Sequence, residues 1–168
     1  MDRSDLNKRI HDVVGAHPDL AQSGFRCTPD QAEFDKEREQ LFSDRTAQQV
    51  ERCLDYLVLV RKTRSARPKE GRASLSSYQM KHRVEQWQAK GDDMYIANGA
   101  FIVAALVAGV RIYDGDYDRP NCLVEDAQAD WNFPRRGNVA AIRQYLSRYG
   151  DFVQEAFVEA RAEYRRVA

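Results

Sequence analysis

Between Arg61 and Lys90 the chain carries Arg61, Lys62, Arg64, Arg67, Lys69, Arg72, Lys81, Arg83 and Lys90, against only Glu70 and Glu85. Nine cations and two anions leave a local excess of seven positive charges. Such a cluster suits a phosphate backbone, which it binds through charge and counterion release. Arg64, Arg67, Lys69, Arg72, Lys81 and Arg83 are the expected phosphate contacts. Tyr78 and Trp87 supply rings on which bases can stack. The plainer alternative is a solvated loop followed by a solvated helix face.

Within that stretch, Tyr78, Lys81, His82 and Glu85 follow helical spacing, so Tyr78, His82 and Glu85 share one face. A histidine oriented by a carboxylate is the arrangement of a general base, with a phenol beside it. A structural histidine satisfied by its neighbours is the simpler reading. His11 and His17 are remote in sequence, and the chain has no G-x-S-x-G, no Gly-rich phosphate loop and no H-E-x-x-H.

A third candidate is acidic. Asp114, Asp116 and Asp118 have the 1, 3, 5 spacing of a calcium loop, and Glu125 stands at position 12. Position 6 is Arg119 where a calcium loop needs Gly, and Pro120 follows at once. A solvated hairpin turn accounts for the same residues, and no cofactor is expected.

These residues need elements to hold them. Leu6, Ile10, Val13 and Val14 predict an amphipathic helix over 5–16, with Ser4 as N-cap and Gly15 near its end. Thr28-Pro29-Asp30-Gln31 reads as a capping box opening a helix that runs to about Phe42. Ala47, Val50, Leu54, Leu57, Val58 and Arg61 predict a helix over 44–63. A loop follows from Thr63 to Ser74. Met80, Val84 and Trp87 line one face of a helix over 75–89.

Asn98 then caps a helix over 99–108 that Gly109 closes, and exposed N–H groups at its start could bind an anion. Together these two helices suggest a helix-turn-helix, although their connection is long and the second is too apolar to face a groove. Val110–Tyr113 and Cys122–Val124 predict a small hairpin. After a loop at 130–137, Val139, Ile142, Tyr145 and Leu146 mark one helix. Val153, Phe157 and Tyr164 mark another, with a break at Gly150.

Composition bounds the function. Lys plus Arg and Asp plus Glu both number 26 among 168 residues, which excludes a histone-like binder and an acidic mimic of DNA. Cys27, Cys53 and Cys122 are widely spaced and form no C-x-x-C, so reduced thiols and a cytoplasmic location are expected. The polar start Met1-Asp2-Arg3-Ser4-Asp5 is unlike a signal peptide. The longest apolar stretch, Gly99–Val110, is twelve residues long. A bilayer span takes about 20, so that stretch is expected to be a buried helix, and no membrane partner is expected.

The pattern Ser77-Tyr78-x-x-Lys81-His82-x-x-Glu85, then Tyr95-Ile96-x-Asn98-Gly99-x-Phe101-Ile102-x-Ala104-Ala105-x-x-x-Gly109, then Pro120-Asn121, resembles a group of small uncharacterised proteins of bacterial plasmids and phages. The likeness covers residues 76–122. It implies a mobile-element setting and carries no catalytic role.

The expected fold is mainly α: a single compact multi-helix domain over 1–168, with a small β-hairpin near 110–124. The expected function is that of a non-enzymatic accessory protein of a mobile genetic element. Its 61–90 region would contact nucleic acid or a nucleoprotein complex. The alternatives are a protein-interaction module, such as an anti-CRISPR-type inhibitor or a homodimer subunit, and a small enzyme built on Tyr78, His82 and Glu85.

Overall fold

A computed structural model describes residues 2–65, 75–87, 95–110, 112–113 and 120–124, with 58–65 and 75 described by their backbone alone. Its centre is the most apolar segment of the chain. Helix α5 (Asn98–Val107) is buried on every side from Asn98 to Ala105. A helix that is apolar all round is stable in water only when other elements surround it. Here α1 (Arg3–Ala16), α3 (Asp44–Ser65), α4 (Ser77–Trp87) and strand β2 (Gly24–Phe25) pack against it. The mainly α architecture is therefore as expected, with five helices among the described residues. A helix enclosed in this way cannot enter a nucleic-acid groove, which removes α4 and α5 as a helix-turn-helix.

The amphipathic pattern of α1 buries Leu6, Ile10 and Val14. Its cap is Asp2, whose Oδ1 accepts from the Asp5 N–H at 2.8 Å, and not the expected Ser4. A carboxylate there satisfies an orphan donor and also complements the helix dipole. At the other end Arg38, from α2 (Gln31–Gln40), gathers the loose carbonyls. Its guanidinium donates to Val14 O at 2.5 Å, His17 O at 2.9 Å, Pro18 O at 3.1 Å and Leu20 O at 2.8 Å.

Strand β1 (Leu20–Ala21) pairs antiparallel with β2, Leu20 opposite Phe25 and Ala21 opposite Gly24. This hairpin was not expected, because its two-residue connection, Gln22-Ser23, lacks the Asn-Gly or Asp-Gly chemistry that marks such turns. The needed glycine follows one position later. Gly24 has φ +122°, and a Cβ on it would collide with Pro120 O and Asn98 Nδ2.

Helix α2 starts later than the expected capping box. Asp30 accepts from the Glu33 N–H at 3.1 Å, and the Thr28 hydroxyl instead accepts from Asp30 N–H and donates to Glu33. Gln31 bonds to Arg26 and Asp35. A short turn over 41–43 leads to α3, where Ser43 Oγ accepts from the Thr46 N–H at 3.2 Å. Ala47, Val50, Leu54 and Leu57 are buried as their spacing demands.

A strand the sequence reading missed, β3 (Leu75–Ser76), precedes α4. Strands β4 (Ile112–Tyr113) and β5 (Leu123–Val124) form the expected hairpin pair, and β3 adds to it, giving an antiparallel sheet in the order β3-β5-β4. Ser76 then opens α4 through a capping box. Its hydroxyl accepts from the Gln79 N–H at 3.2 Å while Gln79 Oε1 accepts from the Ser76 N–H at 3.1 Å.

Asn98 is not the cap of α5. It is the first helical residue, and its Nδ2 reaches away to Ser23 O, Pro120 O and Asn121 Oδ1. Two N–H groups at this end have protein partners: Ala97 N–H donates to Gln49 Oε1 of α3 at 3.0 Å and Gly99 N–H to Gln22 O of the hairpin at 2.9 Å, so neither is available to an anion. Gly109 closes α5 as expected, at φ +65°, with Gly109 N–H to Leu106 O and Val110 N–H to Ala105 O.

The expected helices over 139–164, the loop over 130–137 and the basic loop after Ser65 lie outside the described residues.

Candidate functional site

The site grows from the two-sidedness of α4. Met80, Val84 and Trp87 face the core and are buried. That leaves Tyr78, Lys81, His82 and Glu85 to meet one another at i+3 and i+4 spacing along the adjoining face. The extended segment Tyr95–Ala97, on its way into α5, lies beside this face, since the Ile96 N–H donates to Glu85 Oε1 at 2.9 Å.

Glu85 is the hub. Its Oε1 also accepts from Lys81 Nζ at 3.1 Å, and its Oε2 lies 2.5 Å from His82 Nδ1. Burial pushes this carboxyl up, but the Ile96 N–H, His82 and the Lys81 ammonium outweigh it and hold the group below the usual carboxylate range. Glu85 is therefore ionised at neutral pH. An ionised carboxylate only accepts, so His82 must donate from Nδ1, which leaves Nε2 as the acceptor of the neutral ring.

Lys81 is only 5% exposed. Its ammonium lies over the rings of Tyr78, 4.9 Å from the centroid, and Tyr95, at 5.2 Å. A desolvated cation between two aromatic faces is held by their quadrupoles as well as by Glu85. The His82 imidazole meets the Tyr78 ring edge-on at 4.5 Å. Outside this part-buried pair the site is open: the Tyr78 residue is 49% and the Tyr95 residue 55% exposed, and the His82 side chain 43%. His82, Glu85, Gln86 and Tyr95 line a cleft of about 350 Å³.

Beneath the site, burial pushes the Cys53 thiol far up, with the Glu85 charge adding to it. Cys53 is a core residue and no nucleophile at neutral pH. Tyr56 packs on Trp87 at 5.6 Å, and burial pushes its hydroxyl up to about 12 against the opposing charge of Arg83.

The structure thus unites Tyr78, Lys81, His82 and Glu85. Lys81, expected as a phosphate contact, has its ammonium in an internal ion pair. Arg64 lies on the last turn of α3, and Arg83 is half-buried on α4. Arg67, Lys69 and Arg72 lie outside the described residues, as do Asp114, Asp116, Asp118 and Glu125. Among the described residues no group of three or more His, Cys, Asp or Glu side chains could hold a metal ion, and no helix is long and apolar enough to cross a membrane.

Tyr95, Gln86 and the Ile96 amide were missed by the spacing argument. Tyr95 had a signal, since an aromatic residue stands alone just before the apolar run that builds α5. No family model matches this chain, and neither do any curated protein or solved structure.

Chemically, the cluster presents an imidazole held by Glu85, a carboxamide and aromatic rings around the Lys81–Glu85 ion pair. That is equipment for recognising a planar, hydrogen-bonding ligand.

Proposed function

We propose that the protein is a non-enzymatic, cytoplasmic accessory protein of a mobile genetic element that binds nucleic acid, alone or within a nucleoprotein complex. The observation that carries this reading is the charge of residues 61–90. The Lys81–Glu85 ion pair removes one cation and one anion from the count. Eight cations against Glu70 still leave an excess of seven in a chain whose net charge is zero. Arg61, Lys62 and Arg64 ride on the end of α3, and Arg83 on α4. The mobile-element setting rests on the resemblance of residues 76–122.

The test is the quadruple variant Arg64→Ala, Arg67→Ala, Lys69→Ala, Arg72→Ala, titrated against labelled DNA and RNA over a range of salt. Each phosphate contact removed should flatten the slope of log K against log salt by about 0.7 to 0.9. Unchanged affinity and slope would contradict the assignment.

A second reading, a protein-interaction module, is favoured by one observation. Tyr113 and Leu123 are cross-strand partners on the β3-β5-β4 sheet and both are exposed. Light scattering of wild type and Leu123→Asp tests it: a dimer that the variant disrupts supports a homotypic interface, and a monomer in both removes that form of it.

A further inference from the structure

We infer that the cleft lined by His82, Glu85, Gln86 and Tyr95 receives an unpaired nucleobase, so that the protein prefers single-stranded nucleic acid to duplex. This rests on the nucleic-acid reading proposed above and specifies which form is bound.

Three features favour this occupant. The first is a stacking surface that is already in place. Tyr95 lines the cleft and is more than half exposed, and the Lys81 ammonium holds both its ring and that of Tyr78. A base that stacks on a ring already anchored costs little side-chain entropy. The second is the hydrogen-bonding set around the ring. The Gln86 carboxamide both donates and accepts, and with Nδ1 turned to Glu85 the imidazole keeps Nε2 for a base edge. Base edges with matching groups are accessible only when the strand is unpaired and the base splayed out. The third is electrostatic. Lys81 neutralises Glu85 at the floor, so the cleft does not repel a phosphodiester, and the cationic run of 61–90 brackets it in sequence. A duplex keeps its bases stacked inside, and α5, buried from Asn98 to Ala105, offers it no reading helix.

The experiment is fluorescence anisotropy with a labelled mixed-sequence oligodeoxynucleotide, as single strand and as duplex, against wild type, Tyr95→Ala, Tyr95→Phe and Gln86→Ala. Gln86 is exposed, so its variant keeps the fold intact should Tyr95→Ala lower the melting temperature. Wild type should bind the single strand about tenfold tighter, Tyr95→Ala should lose about that factor on the single strand alone, and Tyr95→Phe should retain it. Gln86→Ala should weaken the single strand severalfold with the salt slope unchanged. Equal or tighter duplex binding, or single-strand affinity untouched in both Tyr95→Ala and Gln86→Ala, would overturn the base site while the salt-dependent reading stood. No binding to either form would overturn both.

Discussion

Two side chains tie distant pieces of the chain together through backbone atoms, and each sets a measurable expectation. Arg38 donates to four carbonyls at the end of α1 and the start of the β1-β2 hairpin. Charge-assisted bonds of this kind each contribute about 1.5–3 kcal/mol, though a shared donor gives less than the sum. Arg38→Ala should cost about 3 kcal/mol in denaturant unfolding. Arg38→Lys should recover less than half, because an ammonium lacks the planar fork. A loss below about 0.5 kcal/mol, the level of an ordinary surface substitution, would contradict this role.

Glu85 makes stability depend on pH. Its folded-state value is depressed, so its contribution is complete above the ordinary carboxylate range and is lost as pH falls through the folded value. Chemical denaturation from neutral to acid pH should therefore show a loss of stability that Glu85→Gln largely abolishes. An identical pH profile in the variant would place the acid sensitivity elsewhere.

At the scale of elements, glycines that look alike in the sequence diverge in the structure. Gly99 lies so close to the hairpin that a Cβ would collide with Ala21 O, a backbone atom with nowhere to go. Gly99→Ala should destabilise by about 1–3 kcal/mol. Gly15 sits in the last turn of α1 with open space around it, so Gly15→Ala should stabilise by about 0.5–1 kcal/mol. Thermal unfolding of the two variants reads both signs, and the same sign in both would undo this packing.

The elements also show what patterning can reveal. Helices α1, α3, α4 and α5 were legible because apolar spacing reports which face the core takes. Their starts were less so. Asp2 and Asp30 compete with Ser4 and Thr28 as caps, and only the approach of the chain decides among such neighbours. Asn98 looked like a cap because nothing in its local sequence announces Ser23, Pro120 and Asn121. Strands β1 and β3 are two residues long and show no period; β1 forms by pairing with its neighbour β2, and β3 by pairing with the distant β5.

For the molecule as a whole, one enclosed helix organises the core, and the three cysteines report on its integrity. Cys27 is exposed, whereas Cys53 and Cys122 are buried. A thiol reagent at neutral pH should modify one cysteine promptly and the other two only on unfolding. Three equally fast thiols would contradict the core described.

The candidate site was half legible. Helical spacing joined Tyr78, Lys81, His82 and Glu85, but it could not say that Lys81 turns inward, because a lysine in a basic run reads as surface charge. Tyr95 and the Ile96 amide come from another segment, and tertiary folding alone brings them in. The excess of cations over 61–90 remains the broadest functional signal, since it segregates positive charge in a chain whose net charge is zero. Titrating the wild-type protein with a labelled oligonucleotide at low and at moderate salt tests that signal most directly. Binding that is measurable at low salt and weakens steeply as salt rises is the expected result, and no binding at low salt would contradict the function proposed.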